Sequence, residues 1–274
     1  VLGGEITPRS GRLLEYRLAG LLERCGEAPM ADLDRAAVRA WGERIGRLSP
    51  ATRRLYRSTL VCLCRWALEE GLLSEDPSTH LPKVREPGRV PRARPTSDVA
   101  AVLGASGSAR DRLVVLLMVQ MALRCCEVAR AELADYDPAA ATLLVRGKGG
   151  EERVLPVPPP VVEAIDAYRS EIGRFAGPLV CTLHSGRWAL SSAAVARIVT
   201  KLLYASRVKT AAGDGITAHA LRHTAASDVL DRCGNVRIVQ GMLGHASLAT
   251  TQIYLRRASL DQLREAMGGR DYAA

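Results

Sequence analysis

Between Leu81 and Pro95 the chain carries four prolines, at positions 82, 87, 91 and 95, together with Gly88. Proline fixes φ and removes a backbone donor, so this stretch can neither continue a helix nor sit inside a sheet. It divides the 274 residues into two parts, each long enough to bury a core of its own. Five basic residues, Lys83, Arg85, Arg89, Arg92 and Arg94, face one acid, Glu86, between positions 83 and 94. An extended basic connector suits a path along a polyanionic duplex. The boundaries expected are a domain over 1–86, a linker over 87–95 and a second domain over 96–274.

Ahead of the break the pattern is helical. Leu13, Leu14, Leu18, Leu21 and Leu22 form one apolar stripe. A second helix is expected over 32–45, with Val38, Trp41 and Ile45 facing inward. A third begins at Ser49-Pro50, where Ser49 can cap and Pro50 suits the first helical position. It carries Leu55, Leu60, Leu63, Trp66 and Leu68 towards a stop at Gly71. Arg53, Arg54 and Arg57 at its start can meet a DNA backbone, or form an ordinary solvated face.

Past the break, helices are expected near 96–103 and over an apolar run from Arg110 to Leu123 that ends at Arg124. Thr142–Arg146 and Arg153–Val157 are short aliphatic runs around Gly147-Lys-Gly-Gly150, a hairpin signal. Lys148 then projects from a glycine-flanked turn. Further helices are expected near 159–173, 191–206, from a Thr217 cap to Arg232 before Gly234, and over 236–243, 247–257 and 259–267. The fold class is mainly α with a small antiparallel sheet: a helical domain followed by an α+β domain.

Composition narrows the partner. The formal charge is +9, and the cations comprise 34 Arg and four Lys. Guanidinium forks hold phosphate bidentately, which suits nucleic acid, although a high-GC genome gives the same bias. Seven cysteines without a CxxC pair or zinc spacing read as reduced thiols of a cytoplasmic protein. No apolar run reaches membrane-span length, and the first residues carry no secretory pattern.

The chemistry concentrates late in the chain. His219-Ala-Leu-Arg222-His223 is followed by Leu243-Gly-His245 and by Thr250-Thr-Gln-Ile-Tyr254. Positions three apart share a helix face, so His219 and Arg222 can address one ligand. Tyr254 offers a hydroxyl nucleophile. A zinc pair at His219 and His223 lacks the glutamate of HExxH and a third ligand.

The order Arg124, Lys148, His219-x-x-Arg222, His245, Tyr254 resembles the active-site signature of the tyrosine recombinases, the phage-integrase family. Ala122-Leu-Arg-Cys-Cys-Glu127 resembles its first box, with Ala122 where glycine is usual. The helical first third, through Thr52, Trp66-Ala67, Gly71 and Asp76-Pro77, is similar to the family's core-binding domain. The resemblance implies a site-specific DNA recombinase working through a covalent 3′-phosphotyrosine, without metal, ATP or another cofactor. Arg124 and Arg222 would hold the non-bridging oxygens, His245 would donate a further hydrogen bond, and Tyr254 would attack phosphorus. Lys148 is the candidate acid for the leaving 5′ oxygen, His219 the candidate base, and Glu127 the group that orients Arg124 or balances its charge.

Double-stranded DNA bearing recombination sites is the partner implied, with four protomers in the synaptic complex, a monomer or weak oligomer when free, and a terminal helix that contacts a neighbour. The length ahead of the linker points to a compact Xer-like or simple integrase type, serving integration or excision of a phage or mobile element. Lys83, Arg85, Arg89, Arg92 and Arg94 join Arg53, Arg54 and Arg57 as candidate DNA contacts. His223 reads as structural, and Arg130, Arg146 and Arg153 as surface residues. Two rivals share the fold or the chemistry: a type IB topoisomerase and a catalytically silent DNA-binding regulator.

Overall fold

The computed structural model describes residues 8–25, 30–84, 94–147, 150–182 and 188–244. The chain divides into two compact units, Val1–Arg89 and Val90–Ala274. It is mainly helical, with one small antiparallel sheet.

In the first unit, α1 (Pro8–Cys25), α2 (Arg35–Ile45) and α3 (Pro50–Glu69) pack together with a short 3₁₀ turn at Pro77–His80. Local chemistry sets the starts. The Asp34 carboxylate accepts the Ala37 N–H, and the Ser49 hydroxyl accepts that of Thr52. Each satisfies a donor that a helix N-terminus leaves unpaired. Leu18, Leu21, Val38, Trp41, Ile45, Leu60, Cys64 and Ala67 are buried together.

The inner face of α3 differs from its apolar stripe. Leu55 is 51% exposed and Leu68 41%, whereas Cys64 and Ala67 are fully buried. Close packing against α1 and α2 accepts the small side chains and turns the two leucines outward. On α1 likewise, Leu13 is exposed while Leu18 and Leu21 are buried.

The second unit is built around α5 (Ala109–Val119), whose residues Leu113 to Val119 are all buried. A helix that is apolar on every side has to be enclosed. The elements that pack on it are α4 (Thr96–Gly104), α6 (Cys125–Arg130), α7 (Pro159–Ile172), α8 (Ser192–Ala205) and α9 (Ala218–Cys233). Strands β1 (Tyr136–Asp137), β2 (Thr142–Arg146) and β3 (Glu152–Pro156) form an antiparallel sheet in that order. Leu143 pairs with Leu155, and Val145 with Arg153. Leu143, Val145, Leu155 and Val157 join the same core as α5.

The apolar run after Arg110 does not remain helical to Leu123. The helix ends at Val119, and Ala122 takes φ +54°. That left-handed residue reverses the chain, so Arg124 stands at the N-cap of a new helix, α6, rather than at the end of α5. Finally, α10 (Val236–Leu243) follows α9 after Gly234 and closes on Gly244, both in left-handed conformation. Ala122, Ala225, Ala226, Val239 and Leu243 form a small separate core that joins these turns. No helix among the described residues is long and apolar enough to cross a membrane. The helices expected over 247–257 and 259–267 lie outside the described residues.

Candidate active site

Glu127 is the centre of the site. Its side chain is fully buried, on the first turn of α6. One carboxylate oxygen accepts the Arg124 backbone N–H at 2.8 Å, and the other accepts the Arg124 guanidinium at 2.8 Å. Two further arginines reach the same carboxylate. Arg153 of β3 donates from Nη1 and Nη2 to the two oxygens, each at 3.0 Å. Arg222 of α9, 95 residues from Glu127 in sequence, lies 3.4 Å away. Burial pushes the Glu127 carboxyl up. Hydrogen bonds from Arg153 and the Arg124 backbone, then the charges of Arg153 and Arg222, outweigh it and hold the group below its ordinary range.

Among the described residues, three guanidinium groups meet one carboxylate there, a surplus of two positive charges within that group. The arginines are not equivalent. The Arg124 side chain is 31% exposed, that of Arg222 only 3%. Arg222 donates from Nη1 to the Ala122 carbonyl and from Nη2 to the Leu243 carbonyl at 2.7 Å. It thereby ties the turn ahead of Arg124 to the end of α10. Thr224, one turn along α9 from Ala220, accepts the Arg94 backbone N–H at 2.8 Å.

His219 stands at the exposed start of α9, three residues before Arg222. Its ring lies 6.3 Å from that of His223. Partial desolvation, then the Arg222 and Arg124 charges, lower the His219 pKa from the ordinary imidazole value, so the neutral form is favoured. His223 is lowered as well, by desolvation and then by His219 and Arg222. A neutral imidazole beside fixed cations can accept a proton.

The structure thus brings together Arg124, Glu127, His219 and Arg222 from two distant segments. Lys148, His245 and Tyr254 lie outside the described residues, as do Arg85, Arg89 and Arg92. Of the residues next to Lys148, Gly147 follows the end of β2 at Arg146, and its carbonyl accepts a hydrogen bond from Arg130 at 3.0 Å. Gly244, directly ahead of His245, follows the Leu243 carbonyl that Arg222 holds.

The candidate DNA contacts divide. Arg54 and Lys83 are exposed, and Arg53 and Arg57 half-buried, with Arg57 donating to the Leu81 carbonyl at 3.4 Å. The Arg94 guanidinium is held by Asp98, so its charge is largely balanced within the protein. Arg146 is paired with Asp135 and Glu152 at the edge of the hairpin.

Arg153 is the residue that the sequence reading misplaces. It reads as a surface cation, yet its side chain is only 13% exposed and is bound to Glu127. Strand alternation carries the signal that finds it. Arg153 shares a face with the buried Leu155 and Val157, while Val154 points outward.

Residues 96–260 match the model of the phage integrase family. The tyrosine recombinase XerC of Mycobacterium sp. (strain KMS) is 32% identical over 247 residues, covering 85% of this chain and 81% of that protein. Among solved structures, a lambda integrase (75–356) dimer bound to a COC′ core site has a TM-score of 0.76 at 20% identity, covering 94% of each chain. A lambda integrase tetramer bound to a Holliday junction has a TM-score of 0.75 at 20% identity, over 99% of this chain and 76% of that one. A family match across the unit that carries Arg124, Glu127, His219 and Arg222 gives their convergence its context: the chain belongs to the phage integrase family of tyrosine recombinases.

Proposed function

We propose that the protein is a site-specific recombinase that cuts and rejoins duplex DNA through Tyr254. The observation that carries this reading is the convergence of Arg124 and Arg222 on Glu127 beside His219. A phosphodiester bears one negative charge, and attack by an oxygen nucleophile raises it to two as the pentavalent state forms. A fixed surplus of two positive charges matches that state better than the ground state, which is what accelerates a reaction. Carbonyls and Glu127 orient the Arg222 guanidinium before any phosphate arrives, so little reorganisation accompanies the reaction.

In the step proposed, Tyr254 Oη gives its proton to His219 and forms a bond to phosphorus. The bond from phosphorus to the 5′ oxygen breaks, and Lys148 protonates that oxygen. His245 adds a hydrogen bond to a non-bridging oxygen. The 3′-phosphotyrosine retains the energy of the original ester. A 5′ hydroxyl from a second strand then attacks the phosphorus and gives its proton to Lys148; the bond from phosphorus to Tyr254 Oη breaks as the phosphodiester reforms, and His219 returns its proton to that oxygen. No nucleotide is consumed. Losing one transition-state donor costs about 3–4 kcal/mol, a rate factor of roughly 10²–10³.

The first domain, over 1–86, would contact the duplex as a core-binding module through Arg53, Arg54, Arg57 and Lys83, with the 87–95 linker lying along the backbone. The 96–274 domain would hold the scissile phosphate. Four protomers would synapse two sites, in keeping with the tetrameric lambda integrase neighbour. The similarity to a tyrosine recombinase XerC supports a recombinase acting on DNA; to this the proposal adds a compact type working in a bacterial or phage-infected cytoplasm, for integration or excision of a phage or mobile element.

The test is a nicked duplex drawn from the genomic DNA that flanks the coding sequence, incubated with the protein in EDTA without nucleotide. A covalent protein–DNA complex is expected, and paired sites should exchange strands. Duplex binding with no covalent complex would identify a silent regulator. Relaxation of supercoiled plasmid with no exchange between sites would identify a topoisomerase.

A further inference from the structure

Arg153 makes three hydrogen bonds to groups far from it in sequence. Two run side by side to the Glu127 oxygens at 3.0 Å, and Nε donates to the Met242 carbonyl at 3.0 Å. A planar fork can do all three at once; a lysine ammonium, a single point of charge, cannot reproduce the paired geometry. The same guanidinium lies on Gly244. A Cβ added there would stand 3.0 Å from Arg153 Nη1 and 3.2 Å from its Cδ. The backbone of β3 is in turn fixed by pairing of Arg153 with Val145.

We propose that Arg153 is a positioning residue for strand cleavage: it fixes the Glu127 carboxylate that aims Arg124 and Arg222, and fastens the 242–244 turn to the same point. The inference rests on the reading of Arg124 and Arg222 as the phosphate-binding groups. Glu127 is on a short helix, and its two hydrogen bonds to Arg124 tie its oxygens only to their own turn of chain. Arg124 comes from the same turn of chain and moves with it, while Arg222 is the more distant partner at 3.4 Å. Arg153 is the partner that arrives from the sheet, so it defines where the carboxylate sits relative to the rest of the unit. Through Met242 and Gly244 it also sets the stretch of chain that leads directly into position 245. Small displacements of such groups are costly because the arginines must meet oxygens at defined positions in the transition state.

The experiment compares wild type with Arg153→Lys, Arg153→Gln and, as reference, Arg124→Ala. Duplex binding and the single-turnover rate of covalent-complex formation are measured on a phosphodiester and on a methylphosphonate at the mapped scissile position. The methyl group removes the charge that the arginines balance, so a defect in aiming them matters less there. On the diester, Arg153→Gln should react roughly 10- to 100-fold more slowly than wild type while still binding duplex, with Arg153→Lys between them. On the methylphosphonate the loss should shrink to about 3-fold or less, because the mispositioned charges no longer have an ionised oxygen to meet.

Equal losses on both substrates would assign Arg153 a merely structural role and overturn the proposal. So would a wild-type diester rate in Arg153→Lys, the variant that decides the matter if Arg153→Gln does not fold. If Arg124→Ala itself cleaves the diester normally, the phosphate-binding reading falls and the inference with it. A defect in Arg124→Ala beside undiminished Arg153 variants would overturn the inference alone.

Discussion

Glu127 holds Arg124 twice, by the backbone N–H on one oxygen and by the guanidinium on the other, each at 2.8 Å. One buried carboxylate thus starts helix α6 and directs the side chain at its N-cap. Removing its charge takes from Arg222 and Arg153, both largely buried, the carboxylate that they share. Loss of one partner from a buried ionic cluster costs about 3–5 kcal/mol, because the remaining charge stays desolvated. Glu127→Gln should therefore lower unfolding free energy by about that amount, measured by urea titration monitored at the second unit. A change below about 1 kcal/mol would show that the carboxylate is not the hub of the arginine cluster.

Gly244 joins two constraints at one backbone position. Its φ is +58°, and a Cβ there would stand 3.0–3.3 Å from Arg153, closer than an ordinary contact. Gly244→Ala should cost about 1–3 kcal/mol from backbone strain, and slow covalent-complex formation by displacing Arg153. Thermal unfolding and single-turnover cleavage together check this. Wild-type behaviour in both would mean that the turn adapts without moving the guanidinium.

Ala122 occupies the left-handed region at φ +54° and is fully buried. Its carbonyl accepts Arg222. A β-branched side chain is far less tolerant of positive φ than alanine, and the surrounding alanines leave little space. Ala122→Val should destabilise the protein by about 2–4 kcal/mol, combining strain and overpacking, and should reduce cleavage more than duplex binding. Calorimetry and a cleavage assay read the two effects separately.

The histidines give the pH dependence a definite sign. Both His219 and His223 have pKa values held below the ordinary 6.5. The unfolded chain therefore binds their protons first as pH falls. Their contribution to stability is complete above 6.5 and is lost as pH falls through the folded values. Glu127, lowered from 4.5, keeps its contribution above that value and loses it only in stronger acid. If neutral His219 is the base, the cleavage rate should stay level through pH 6.5 and fall on the acid side below it. His219→Gln should lower the rate and flatten that limb. An acid limb centred at or above 6.5 would contradict the role.

Much of the element order is legible because the signals for it are local, although α6 and β1 are not among the elements that the sequence leads one to expect. Ser49-Pro50, the glycine turn at 147–150 and Gly234 act on their immediate neighbours, and the helices and strands begin or end beside them. The reversal at Ala122 was not, because alanine is a good helix former and only tertiary contacts hold it at positive φ. Leu55 and Leu68 carry the same limit: both fit an apolar stripe, and packing alone decides that Cys64 and Ala67 face inward instead. At the site, Arg124, His219 and Arg222 stood out through spacing and resemblance. Arg153 stands beside Glu151 and Glu152, whose charges mask the alternation that puts it on the face of Leu155 and Val157. Its partner lies 26 residues away, and no local pattern reports that an arginine and a glutamate will share one buried point.

Tyr254 is the nucleophile proposed to be served by the Glu127-centred arginines. Its most direct test is to trap the covalent complex on a nicked duplex, digest the protein and identify by mass spectrometry the residue that carries the nucleotide. A 3′-phosphoryl nucleotide is expected on Tyr254, and no adduct from Tyr254→Phe although that variant still binds the duplex. A nucleotide on any other residue, or an adduct that survives Tyr254→Phe, would contradict it.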